Sequence, residues 1–232
     1  MKKLYILVSF IFIGNWALGQ KVRRDYMFTI NGAMESPFSA NARIKELKVA
    51  PIMQFSASLG FGMNGYFKKL SMSAYFEGSL LSFGNKTDAE PGYQRITRVG
   101  IDYRYLIFEK KKISFALGAA YQNGHFWVQL NSSPTQVDFS QDPFSGNGRL
   151  LIENRQDYLG PSLMIKLQPE KDYGAHLVVS YLFGISKRTW TSGGDLVVGL
   201  PQERLNTMNL RICFPFIVAY KGQKGLNLKS EE

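Results

Sequence analysis

Side-chain character alternates with a period of two along nearly the whole chain, and this pattern admits strands while arguing against helices. From Leu70, the even positions Leu70, Met72, Ala74, Phe76, Gly78 and Leu80 are mostly greasy. The odd positions Ser71, Ser73, Tyr75, Glu77 and Ser79 are mostly small or polar. The same split runs through 54–64, 98–107, 113–122, 159–167, 176–186 and 207–220, which makes seven segments. An eighth, 25–32, sets Tyr26, Phe28 and Ile30 against Met27, Thr29 and Asn31. It is counted because a closed transmembrane barrel tolerates no edge and single-chain bacterial barrels have an even strand number.

Alternation alone does not say which face is wet. A soluble barrel around an apolar cavity would crowd its water-facing side with Lys and Glu. Here that side is mostly Ser, Gly, Asn, Gln and Ala, which suit a cramped interior, while the other carries bulky Leu, Phe and Tyr, as a surface against lipid does. The expectation is an all-β fold, an eight-stranded antiparallel up-and-down transmembrane β-barrel.

The connections alternate in length. Those at 66–69, 109–112 and 168–173 are tight, whereas 33–48, 84–92, 131–149 and 187–204 are long and rich in Gly, Pro, Ser, Asn and charge. Short turns on the periplasmic side and long loops outside is the outer-membrane pattern, and it puts both termini in the periplasm. Aromatics cluster near strand ends: Tyr66, Tyr105, Tyr173 and Tyr220 by the tight turns, and Tyr93, Phe126, Trp127 and Trp190 by the long loops. Two interfacial girdles are expected from them.

Residues 1–19 read as a secretory signal peptide, with Lys2 and Lys3, an apolar run from Leu4 and a small-residue cleavage site at Ala17-Leu18-Gly19. The barrel is then assigned to 20–220 and a polar periplasmic tail to 221–232. No later stretch holds about 18 consecutive apolar residues, so strands must do any membrane crossing. The single Cys213 excludes an internal disulfide. A formal net charge of +10 suggests an anionic partner. Nucleic acid is the poor candidate for an exported chain without a basic stripe interleaved with aromatics. Outer-membrane lipid head groups, lipopolysaccharide among them, fit better.

Inward-facing long charges are few: Glu77, Asp102, Arg98, Arg104 and Arg211. Counted from the tight turns, Glu77, Asp102, Arg104 and Arg211 fall at similar heights and are expected to form a buried salt-bridge cluster, since unpaired charges there cost several kcal/mol. A polar plug is the first reading of that cluster and a proton or solute path the second. Eight strands leave an interior that side chains fill, which excludes a wide channel. His125 and His176 have no nucleophile beside them, Cys213 is inward filling, Gly193-Gly194-Asp195 is a turn and no phosphate loop, and no ligand spacing suggests a metal. No enzymatic activity and no cofactor are expected.

On these features the chain resembles the OmpA/OmpX-type eight-stranded barrels and, more closely, the outer-membrane barrel families of Bacteroidota that include PorT-like proteins. The resemblance covers 25–220 and rests on architecture. The functional expectation is a structural or interaction role through the outer loops and the periplasmic tail, with an envelope protein as a partner. Its alternative is an accessory role in a secretion or assembly machine, followed by a lipid-modifying enzyme, although the His-x-Ser element of lipid A deacylase barrels has no match at His125. The chain departs from the common pattern in that Tyr220 is followed by a polar tail, so the assembly signal would be the internal strand 209–220. Pro215 within it removes a ladder donor and predicts a bulge.

Overall fold

A computed structural model describes residues 23–46, 51–79, 93–131, 149–169 and 174–220 of the 232. The signal segment 1–19 and the tail 221–232 lie outside the described residues. Eight long strands form the wall: β1 (Arg23–Glu35), β2 (Phe55–Phe67), β3 (Leu70–Ser79), β4 (Tyr93–Lys110), β5 (Ile113–Asn131), β6 (Arg149–Leu167), β7 (His176–Gly184) and β10 (Thr207–Tyr220). Two-residue strands β8 (Thr191–Ser192) and β9 (Asp195–Leu196) make a small hairpin before β10. Each wall strand pairs antiparallel with its chain neighbours. The ring closes where β1 meets β10, with Arg23 opposite Tyr220 and Glu35 opposite Thr207. Closure leaves the wall without an edge, the condition a strand wall must meet in hydrocarbon.

The alternation sorts as the sequence predicts. On β1 the outward Tyr26, Ile30 and Met34 are exposed while Asp25, Thr29 and Asn31 are fully buried. On β3 Phe76 is 55 % exposed and the adjacent Glu77 is 0 %. Outward apolar side chains from every wall strand form a band. On β5 it runs from Ile113 to Tyr121, eight steps that at about 3.3 Å each and a barrel tilt of about 40° rise about 20 Å, close to the height of a membrane belt. A surface this apolar would be unstable in water and is suited to acyl chains. No helix among the described residues is long and apolar enough to cross a membrane.

Two-residue turns at Lys68-Lys69 and Lys111-Lys112 close β2–β3 and β4–β5. Lys68 takes a left-handed conformation, φ 52°, as such hairpins require. The register between β1 and β10 shifts between Tyr26 and Met27, opposite Ile217 and Pro215, so the expected irregularity falls beside the proline. Phe216 is the extra residue there.

Above the band the pattern reverses without changing parity. The β5 outward positions become Asn123, His125, Trp127 and Gln129, while the inward ones become Phe126, Val128 and Leu130. On β6 the outward residues Glu153, Arg155 and Asp157 lie above the outward Leu159, Leu163 and Ile165, and Ile152 faces in. Inside this extension sits a core of ordinary soluble character. The β1–β2 connection contributes Phe38, Ile52 and the helix α1 (Ala40–Glu46) with Ile44; the β7–β10 connection contributes Trp190 and Leu205. The sequence reading had 33–48 and 187–204 as plain loops. Residues 36–46 and 187–204 instead fold into the barrel mouth, because the inverted upper strands offer them an apolar wall to bury against.

Candidate functional site: a paired lumen beneath an apolar cap

The inward parity of three strands, β3, β4 and β10, brings Glu77, Asp102, Arg104 and Arg211 together at the centre of the lumen. Arg211 donates through Nε to Glu77 and through Nη1 to Asp102 at 3.3 Å; Arg104 donates to the same Asp102 oxygen. Arg104 also reaches Ser162 at 3.0 Å and Ser73 at 2.9 Å, and Asn31 donates to Glu77 at 2.8 Å. The Arg211 guanidinium lies 3.4 Å from the ring centroid of Tyr75, a cation–π contact in a desolvated setting. Gly100 makes that stack achievable: a Cβ there would collide with the Tyr75 hydroxyl and ring.

Arg98, the fifth long inward charge, belongs to a second tier nearer the cap. Its Nη2 donates to Glu35 at 3.0 Å and to Ser56 at 2.8 Å, and the Tyr158 hydroxyl donates to the other Glu35 oxygen at 3.1 Å. Three arginines face three carboxylates across the two tiers, all 2 % exposed or less. Their ties run across the lumen. Glu77 on β3 and Arg211 on β10 lie three strands apart round the ring, as do Arg98 on β4 and Glu35 on β1. The cylinder is therefore lashed wall to wall, and its charges balance. Replacing either member of such a pair strands a buried charge, at about 3–5 kcal/mol.

The cap is tied down by a third set. Glu203 accepts hydrogen bonds from the Ser39 hydroxyl at 2.6 Å, the Ser39 N–H at 3.1 Å and the Ala40 N–H at 2.7 Å, satisfying the start of α1. Gln156 on β6 donates to the Glu203 carbonyl at 3.0 Å. Asn41 clasps the Ile52 backbone with both ends of its amide, at 2.7 and 2.9 Å, and Gln94 does the same for Met53 at 2.9 and 3.0 Å. Glu35 stands on the inward parity of β1 continued past Gly32, so extending that strand three residues would have found it. Glu203 carries no signal in the sequence, since its role depends on a helix brought to it from 163 residues away.

The aromatic assignments need correction. Tyr105 faces outward near a tight turn, 50 % exposed, where a girdle would place it. Tyr66 faces inward instead: its hydroxyl receives a hydrogen bond from Asn64 at 3.2 Å and its ring packs edge-on against His176. Trp190, 1 % exposed, and Phe126, 0 %, belong to the cap core, with Phe38 between them. Trp127 and Tyr93 do face outward, but they lie at least three outward positions above Tyr121 and so above the band. Closeness to a loop in sequence misled because β4, β5 and β6 run on beyond the apolar band. Tyr173 and the Tyr220 side chain lie outside the described residues.

His125 stacks on Trp127, centroids 3.6 Å apart, and bonds Glu153 at 3.0 Å. His176 is buried against Asn64, Nδ1 at 3.2 Å, and Cys213 is buried on the inward face. Among the described residues no group of three or more His, Cys, Asp or Glu is placed to hold a metal ion.

No protein-family model and no curated protein matches the sequence. Solved structures do match. Neisserial surface protein A is 10 % identical, covering 84 % of this chain and 97 % of its own, with a TM-score of 0.43. The attachment invasion locus protein of Yersinia pestis, Ail, is 11 % identical over 84 % of this chain and 98 % of its own, TM-score 0.42. The N-terminal β-barrel domain of Pseudomonas aeruginosa OprF is 9 % identical over 82 % and 97 %, TM-score 0.33. At such identities no residue correspondence follows.

Proposed function

We propose that this chain is a non-enzymatic barrel of a bacterial outer membrane, with a structural or interaction role exerted through its capped outer end and both termini in the periplasm. The observation that carries the reading is the double closure of the lumen. Buried arginine–carboxylate pairs fill its middle and an apolar core fills its outer mouth. A conduit needs charged groups free to hydrate a passing solute, whereas the arginines and carboxylates of this lumen are paired with one another. The apolar band supports a membrane setting, and Arg23 and Tyr220 meeting at the tight-turn end support a shared side for both termini.

Outward Arg95 and Arg155, above the band, support contact with lipopolysaccharide phosphates, since cations at that height face the head-group region. A second reading, the accessory role in secretion implied by the PorT-like resemblance, is favoured by apolar side chains at the tip beyond the cap: Val198 is 88 % exposed and Leu196 61 %. Such residues suit a protein partner in the envelope.

Planar-bilayer recording of the purified protein tests the main reading. It expects no ion conductance steps, and steady channels in the intact chain would overturn it. Heat-modifiable migration on a gel tests the barrel in its membrane. Gene deletion separates the roles: envelope fragility with normal secretion supports the structural role, while a secretion defect with intact lipid A supports the accessory one. A changed lipid A mass profile would overturn the non-enzymatic assignment.

A further inference from the structure

Soft donor atoms gather in the tight-turn half of the lumen. Four consecutive strands of the ring, β6, β7, β10 and β1, contribute Met164, His176, Cys213 and Met27. Cys213 is the next inward residue after Arg211 on β10 and stands directly opposite His176 on β7, where facing Cβ atoms are about 5 Å apart. Met164 is one inward position from Lys166, which faces His176, and Met27 is one inward position from Thr29, which faces Cys213. All four are 3 % exposed or less, and the three sulfur-bearing side chains pack in one cluster with Ala116 and Val178.

Their lone pairs converge. Asn64 Nδ2 lies 3.0 Å from Met27 Sδ and 3.2 Å from His176 Nδ1, so a thioether and an imidazole are aimed at one point in the lumen. On the other side Arg104 Nη1 approaches Met164 Sδ at 3.8 Å. His176 Nε2 is buried and has no hydrogen-bond partner among the described residues. Leu and Val at these positions would meet the demands of packing alone, without leaving a ring nitrogen unpaired at a cost of about 1–3 kcal/mol.

We propose that Met27, Met164, His176 and Cys213 form a binding site for a soft monovalent metal ion of the Cu(I) class. Thiolate and thioether sulfur select Cu(I), and imidazole suits it as well. Turning the Asn64 amide over lets its oxygen accept from Nδ1–H, which leaves the Nε2 lone pair for the metal and gives the ring the outer partner that metal-bound histidines use. Cys213 binds as the thiolate: its proton leaves to solvent and Cu(I) takes its place, so the site's charge is unchanged and the nearby Arg104 meets no added cation. The unbranched methionines close on the ion by rotamer changes with no backbone shift. Met164 also lines a cavity of about 190 Å³ at the tight-turn mouth, which gives the ion a way in. The donors come from four separate strands, so no spacing in the sequence announces them. The inference goes beyond the plug reading, in which these side chains are only filling.

The test uses the full mature chain in phosphatidylcholine nanodiscs under reducing, oxygen-free conditions, titrated with Cu(I) against a chromogenic Cu(I) chelator. One Cu(I) per chain is expected, with an ultraviolet thiolate-to-copper charge-transfer band and one proton released per ion bound. Met27→Leu and Met164→Leu, which conserve volume, should each weaken binding by about tenfold, which is 1.4 kcal/mol. His176→Gln should weaken it at least as much, and Cys213→Ser should abolish the band. Met208→Leu, on the outward face of β10, should change nothing. Heat-modifiable gel migration shows that each variant has formed its barrel. Absence of saturable binding would overturn the proposal. So would binding that Cys213→Ser removes but the methionine and His176 variants leave at full strength, since that is metal on a thiol and no site. Zn(II) held as tightly as Cu(I) would overturn the soft-ion assignment. None of these outcomes depends on conductance or cellular location, so failure here and failure of the plug reading are told apart.

Discussion

The membrane band and the cap use the same strands with opposite chemistry. Along β5, Leu117 faces out over Gly118 facing in, whereas a few residues higher Gln129 faces out and Val128 faces in. Strand geometry is indifferent to this exchange, because period-two alternation fixes only that neighbours point to opposite faces. The solvent outside decides which set goes where. Hydrocarbon rewards greasy side chains on the exterior and forces polar ones inward, where they must satisfy each other. Water does the reverse. The switch at Gln122-Asn123 on β5 and Asp157-Tyr158-Leu159 on β6 therefore marks the boundary of the membrane on the cap side of this molecule. It also explains why one interior is held by ion pairs and the other by apolar packing.

The largest effect should come from removing the hub of the lower interior. Arg211→Met leaves Glu77 without its cation and strips Asp102 of one of two, at a cost of about 3–5 kcal/mol. Urea unfolding in lipid vesicles measures it, and an unmoved midpoint would show that the cluster does not hold the barrel. Trp190→Ala should cost the cap a comparable 3–5 kcal/mol or so of local packing while sparing the band. Protease sites in the outer connections would open as heat-modifiable migration persists. Loss of both together would mean the two regions unfold as one.

The comparison is sharpened by one substitution at two heights of the same face. Leu117→Arg, within the band, is expected to destabilise by about 2–4 kcal/mol; Gln129→Arg, above it, should stay within about 0.5 kcal/mol of the parent. Equal costs would erase the boundary drawn at Gln122-Asn123. A smaller effect belongs to Glu203→Gln, which keeps one acceptor for α1 but loses the charge, at about 1 kcal/mol. Hydrogen exchange at Ser39 and Ala40 would register it, and unchanged protection there would remove Glu203 from its capping role.

Much of the band was legible because lipid enforces the alternation at every outward position. Segments 70–79 and 113–122 needed only their parity to be placed, and even 25–32, with the fewest residues, sorts correctly into Tyr26 outward and Asn31 inward. The cap was legible in principle. The continued alternation from Asn123 to Leu130 with its sign reversed is a strand leaving the membrane, yet next to a long loop it resembles a girdle. Trp190 offered less, since nothing near it in sequence says that it turns inward.

The amino-acid sequence by itself determined the eight strands of the wall and which side chains of a strand share a face, because a period of two is a local property of extended backbone. Only the tertiary structure decided who meets whom inside: Arg98 with Glu35 across 63 residues, Arg211 with Glu77 across 134, Glu203 with a helix start 163 residues earlier. Those partners are chosen by how the ring closes and how far each side chain reaches across it, and neither quantity is written in any single strand.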